Sequence, residues 1–221
     1  MQQALPPTSL NGSALVGLLA QLNLAEGPAA KPSFVEGLGR WLGWADAIAL
    51  SAALNGSPAA AASDVDAETV EREFTRVQVR LQRSIEAACG PKVTDLDFPS
   101  YRRRCQALQQ AMETAVTALR KQLRSALASR PQPLSRLAAL DAVMRDVLAP
   151  REQALLALMP TLLEKHFERR RRAAPEAAPA SAWLGPFRQD MQRLLQAELD
   201  LRLQPALGLL DALRNPPPKA P

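Results

Sequence analysis

Residues 98–130 read FPSYRRRCQALQQAMETAVTALRKQLRSALASR, and residues 131–172 continue as PQPLSRLAALDAVMRDVLAPREQALLALMPTLLEKHFERRRR. In the first stretch Tyr101, Cys105, Leu108, Met112, Ala115, Leu119, Leu123 and Leu127 recur at three and four, the period of one helix face. The second repeats the pattern with Leu134, Leu137, Leu140, Met144, Val147, Leu148, Leu155, Leu158, Met159, Leu162 and Phe167. Pro131-Gln132-Pro133 separates them, since proline has no amide hydrogen and clashes with the carbonyl one turn back. Phe98–Arg172 therefore reads as a long central helical hairpin. At ~1.5 Å per residue, about thirty residues reach ~45 Å. The expected fold is all-α, an elongated helical bundle built on this hairpin, with Pro150 and Pro160 kinking or breaking its second arm.

Shorter helical pieces flank it. Leu15, Leu18, Leu19 and Leu22 predict a short helix over about 13–24, within an N-terminal segment 1–32. A helical core spans 33–172 and includes the hairpin 98–172. Its first helix follows the capping-box residues Ser33 and Glu36 and carries Phe34, Leu38, Trp41, Leu42, Ala45, Ile48, Ala49 and Ala52 up to Asn55-Gly56. Trp44 and Leu50 fall off that face, so its apolar arc is wide and calls for burial or a partner. Val70, Phe74, Val77, Leu81, Ile85 and Ala88 form the seam of a helix over about 66–88, stopped by Gly90-Pro91. Residues 173–185 read as an Ala/Pro linker, and 186–215 as a C-terminal helix with Pro186 in its first turn and Pro205 a kink. Residues 216–221 read as a disordered tail.

Composition agrees with helices. Apolar residues make up 47% of the 221, mostly Leu and Ala, and aromatics only 4%, whereas strands want β-branched and aromatic side chains. The net charge of +5 is unevenly spread. Residues 97–172 hold 15 Lys/Arg against 7 Asp/Glu, a surplus of 8, while residues 1–96 hold 7 against 10. Within the basic hairpin lie two clusters, Arg102-Arg103-Arg104 and Arg169-Arg170-Arg171-Arg172. Such a field attracts acidic proteins, nucleic acid or anionic surfaces. Consecutive helical residues point around the axis, however, and Arg-rich runs commonly just solvate long helices. Scarce aromatics also weigh against base stacking.

Catalytic and cofactor chemistry finds little to use. One histidine, His166, cannot build a multi-histidine metal site, and two cysteines cannot complete a zinc site with it. At the end of a helix, His166 is expected on the surface or stabilised by the helix dipole. Gly37, Gly39 and Gly43 lack the spacing and preceding strand of a dinucleotide loop. No cofactor or metal is therefore expected. Cys89 and Cys105 flank the Gly90–Pro99 break, where a redox pair is conceivable, but Cys105 lies on an apolar seam where thiols are inert. Gln21 and Asn23 interrupt any signal-like apolar run, and Glu36, Arg40 and Asp46 interrupt the best membrane candidate, so a cytoplasmic protein is expected.

The run Trp41-Leu42-Gly43-Trp44-Ala45-Asp46-Ala47-Ile48-Ala49-Leu50-Ser51 resembles the most distinctive block of an uncharacterised bacterial all-helical family. Leu137–Phe167 and Ala197–Arg214, with Glu198-Leu199-Asp200-Leu201-Arg202-Leu203-Gln204-Pro205, are similar to it as well. Pro150 is a local departure. The family has no assigned activity; the resemblance implies an accessory role near motor/energiser-type proton-channel subunits, beside which its members are encoded.

The functional expectation is a non-enzymatic protein-interaction or assembly factor with a protein partner, and homo-oligomerisation is one way to cover its apolar faces. Trp41, Trp44 and the seven clustered arginines are the candidate contact residues. The alternative is a nucleic-acid-associated protein using the basic hairpin.

Overall fold

The computed structural model describes residues 14–24, 44–56, 66–91, 95–175 and 179–216. The described residues form α1 (Ala14–Gln21), α2 (Trp44–Asn55), α3 (Ala67–Cys89), α4 (Phe98–Ala128), α5 (Leu134–Leu156), α6 (Met159–Ala173) and α7 (Ser181–Arg214). No strand occurs among them. The fold is an all-α bundle, and the expected hairpin is its centre: α4 runs one way, and α5 followed by α6 returns beside it.

Local chemistry sets several ends. Asp97 Oδ2 accepts the Ser100 amide at 3.2 Å and Pro99 occupies the first turn of α4, where its missing N–H goes unneeded. At the end of α2 the Gly56 amide donates to Ala52 O at 2.7 Å, and a Cβ at Gly56 would meet that oxygen at 2.6 Å. Only glycine fits there. The second arm breaks at Ala157–Leu158, which puts Pro160 in the first turn of α6.

Two sequence expectations are corrected and one is narrowed. The buried α4 seam passes through Val116 rather than Ala115, because a 3.6-residue period brings a four-residue step after Met112. Of the kink or break expected at Pro150, the break does not occur: α5 runs through it to Leu156. The last helix starts at Ser181, not at Pro186, because Trp183 and Leu184 pack into the core ahead of the proline. The Ser33–Glu36 capping box and most of the helix expected after it lie outside the described residues, as does the tail beyond 216.

α3, α4, the α5–α6 arm and α7 alternate in direction as a four-helix bundle. Arg214 near the end of α7 bonds Glu71 near the start of α3, whereas Arg188 near the start of α7 bonds the Pro91 carbonyl beyond the end of α3. α4 and α7 run parallel: Tyr101 meets Phe187, and Gln109 meets Glu198. Leucines fill the interior, including Leu119, Leu123, Leu127, Leu194, Leu195 and Leu203. Full burial of each contributes roughly 1.5–3 kcal/mol. The scarce aromatics gather at one end, where Phe98, Tyr101, Trp183 and Phe187 surround or adjoin Phe167 with centroid separations of 5.0–5.9 Å. α2 packs on α5, and α1 on α7.

Candidate functional site

The antiparallel hairpin brings the two arginine clusters to the same end of the bundle, at the start of α4 and the end of α6. Most of these cations are already engaged. Arg102 pairs with Glu164 and lies over the Phe98 ring. Arg104 pairs with Asp95 at 2.6 Å, and Arg170 with Asp190 at 2.7 Å. Arg103 donates to Ser100 Oγ at 3.1 Å. Arg169 donates to the carbonyls of Leu22 and Asn23. Arg171 and Arg172 face solvent in the last turn of α6, where cations suit the negative end of the helix dipole. Trp41 lies outside the described residues; Trp44 opens α2, whose packing is on α5 rather than on the elements that carry the arginines.

A polar ladder that sequence reasoning missed runs inside the bundle between α4, α5 and α7. Glu198 is fully buried, and Arg202, one turn on, is 6% exposed. Arg202 reaches Glu198 at 3.0 Å, Glu113 at 2.6 Å and Glu152 at 3.8 Å. Further along, Arg145 donates to Thr117 Oγ1 at 3.1 Å, and Arg120 and Arg124 hold Asp141 at 2.6 and 3.0 Å. Four guanidinium groups thus face four carboxylates. Burial, above all, holds the Glu198 carboxyl above its ordinary range, while Arg202 and Gln109 oppose that.

Gln109 links this ladder to the proline break. Pro160 has no N–H for the Leu156 carbonyl, and Gln109 Nε2 supplies the donor at 2.9 Å while also bonding Glu198 at 3.0 Å. Clefts flank the Glu113–Arg202 pair. One of about 180 Å³ is walled by Arg120, Asp141, Arg145 and Glu152. The other, of about 330 Å³, is walled by Gln106, Gln109, Gln110 and Gln153. A trough of about 940 Å³ follows the outer face of α3, yet the described residues that line it all come from that helix. No convergent chemistry arises there. Among the described residues, no group of three or more His, Cys, Asp or Glu is arranged to hold a metal ion.

His166 contradicts its expected surface position: it is 2% exposed, and Nε2 lies 2.8 Å from Asp190 Oδ2. The cause is the α6–α7 packing, which puts His166 beside Phe187 at a centroid distance of 6.0 Å. Such a dyad resembles half of a nucleophile-activating triad, in which the far nitrogen must be free to take a proton. Here that nitrogen, Nδ1, faces Arg169 Nη2 at 2.8 Å. A guanidinium only donates, so the basic lone pair is occupied.

Cys89 and Cys105 are both free and buried. Burial pushes each thiol up to about 12, so the reactive thiolate is scarce at neutral pH. The Tyr101 hydroxyl beside them is fully enclosed without a hydrogen-bond partner. No helix among the described residues is long and apolar enough to cross a membrane.

The missed polar residues did leave a trace. On α7, Phe187, Asp190, Met191, Leu194, Leu195, Glu198 and Arg202 follow a single helical stripe, so charges stand at core positions. No curated protein and no solved structure matches the chain. Residues 1–215, which include all three stretches of family resemblance, match a family described as "Protein of unknown function (DUF3348)", and the chain belongs to that family.

Proposed function

We propose that the protein is a non-enzymatic helical interaction module, an accessory or assembly factor that meets a protein partner through the α2 side of the bundle. The carrying observation is the composition of α2 against its surroundings. WADAIALSAALN contains one charged residue, Asp46, yet Ala47, Ile48, Ala49, Ala52 and Leu54 face solvent, with Ile48 59% and Leu54 45% exposed. Contiguous apolar surface of this kind is characteristic of interaction sites. The capped His166 dyad and the mutually paired ladder support a structural over a catalytic use of the buried charges. A cytoplasmic location, and a place beside energiser-type proton channels as the family resemblance implies, belong to the same proposal.

A photo-crosslinking residue at position 48, activated in native cells, tests it. The expected outcome is a discrete protein adduct, or a dimer of this chain, that disappears when Leu54→Glu is added while the far-ultraviolet helical signal is unchanged. Absence of any adduct above background, or adducts indifferent to the added charge, would overturn it.

The nucleic-acid alternative has one observation in its favour, the convergence of both arginine clusters at one end. Against it, Arg102, Arg104 and Arg170 are occupied by carboxylates. Phosphate contacts by the remaining cations would show as binding that weakens steeply with salt.

A further inference from the structure

His166 joins three elements through one ring. Because Arg169 donates to Nδ1, the single ring proton must lie on Nε2, where it points at Asp190 of α7. Arg169 Nη2 carries two hydrogens. One goes to His166 and the other to the carbonyl of Leu22, while Nη1 reaches the carbonyl of Asn23 at 3.4 Å. Those carbonyls lie just beyond the end of α1, where Asn23 takes a left-handed backbone with φ 53. Arg169 is thus a side-chain clasp on the end of α1, held in place by the histidine.

α1 needs such a clasp. At eight residues it is too short to persist as an isolated helix. It rests on α7 and the core through Leu15, with Leu18, Leu19 and Leu22 half-buried beside it.

We propose that His166 is a proton-operated latch for α1: a proton taken up at Nδ1 removes the acceptor for Arg169, and the N-terminal helix leaves the bundle. The proton comes from solvent and adds to the Nδ1 lone pair, giving an imidazolium whose two N–H groups both donate. One of them would then face the Arg169 N–H, cation against cation. The charged groups that act on the ring are Asp190 from α7 and Arg169 and Arg170 from α6. The segment just after α1 acts on the ring through Arg169, which its carbonyls hold; α7 adds the uncharged Phe187 ring, and Arg102 of α4 is paired with Glu164. Protonation would set three positive charges against one carboxylate.

The sense of the switch follows. Burial holds the imidazole below its ordinary 6.5; the Asp190 hydrogen bond and charge oppose this, and both arginines add to it. The burial belongs to the α6–α7 packing and outlasts α1, but the share set by Arg169, which the Leu22 and Asn23 carbonyls hold on Nδ1, exists only while α1 is docked. A histidine lowered in the docked state relative to the undocked one stabilises docking at the higher pH, and that contribution is lost as pH falls through the docked value. The latch is closed at neutral pH and opens on the acid side of 6.5.

Only one histidine is present, so its imidazole resonances are unambiguous. They can be followed by NMR alongside hydrogen exchange of residues 14–24, corrected for intrinsic rates, between about pH 7 and about pH 5. The expected result is a shared midpoint, with α1 protection falling about tenfold while the α4 seam keeps its protection. His166→Gln retains an acceptor for Arg169 and a donor for Asp190 but cannot charge, so α1 stays protected throughout. Arg169→Gln, at an exposed position, leaves α1 open at both ends of the range. Titration of His166 with α1 protection unchanged would overturn the latch. So would pH-dependent exchange surviving in His166→Gln, or an imidazole that stays neutral until the whole bundle unfolds.

Discussion

Arg202 is the cation on which Glu113, Glu152 and Glu198 converge, and it is nearly as enclosed as Glu198 itself. Replacing one member of such a set strands the others, which typically costs more than the intact pair contributes. Arg202→Met should therefore lower stability by about 3–5 kcal/mol near neutral pH. Its pH dependence identifies the stranded group. The Glu198 carboxyl is already held above its ordinary 4.5 by burial, with Arg202 the leading influence in the other direction. A folded-state value raised above the unfolded one confers stability at low pH that is lost as pH rises through the folded value. Removing Arg202 raises it further, so the deficit should shrink as pH is lowered towards about 5. Urea unfolding at several pH values measures this; a deficit independent of pH would mean that Glu198 is not the residue left uncompensated. The residue scale is also where the sequence was hardest to read. Glu198 and Arg202 share an i,i+4 spacing that suits a surface pair equally well, and Asp141 gave no hint that Arg120 and Arg124 would close on it.

At the scale of elements, the break between α5 and α6 shows local and tertiary causes meeting. Pro160 was legible as an interruption because it lacks an amide hydrogen. That a glutamine 47 positions away would satisfy the carbonyl left behind was not. Gln109→Leu should cost roughly 1–3 kcal/mol, because it strips a donor from both Leu156 O and Glu198. Pro160→Ala restores an N–H one turn after Leu156 and should recover part of that loss in the Gln109→Leu background. A double-mutant cycle by chemical denaturation checks the coupling; strictly additive effects would separate Gln109 from the break. Pro150, Pro186 and Pro205 teach the complement. Each removes one helical hydrogen bond, yet helices of 23 and 34 residues run through them; in α7 the buried Leu184, Leu203 and Leu209 near Pro186 and Pro205 hold the helix in the core and outweigh the lost bonds.

Across the whole molecule, the C-terminal helix that the sequence sets beyond an Ala/Pro linker is structural. α7 packs against α1, α3, α4, α5 and α6, and contributes Phe187, Met191, Leu194 and Leu195 to the fully buried core. Ending the chain after residue 175 should leave the remaining helices with an uncovered core, and the cooperative thermal transition should be lost or much broadened. A sharp melt followed by circular dichroism, with wild-type helix content per residue, would show instead that the hairpin is self-sufficient. The exposed Arg214–Glu71 pair contributes little to this docking, since both partners are well solvated.

The sequence on its own established that the chain is helical and where its central hairpin turns back. Three-and-four periodicity, helix-forming composition and Pro/Gly punctuation act over a few residues, and they specified the seams of α3 and α4 to within one position, and the turn at 131–133. Only the tertiary structure decided what the charges do. The Phe98–Arg172 hairpin looked like a basic surface because counting adds charges along the chain. Folding pairs them across it instead, Arg102 with Glu164, Arg120 with Asp141, Arg170 with Asp190, at separations of 62, 21 and 20 residues. Coulomb energy and burial depend on distance in space, and no local pattern carries that distance. For the same reason His166, read as an exposed helix end, is in the fold a buried link between α1, α6 and α7.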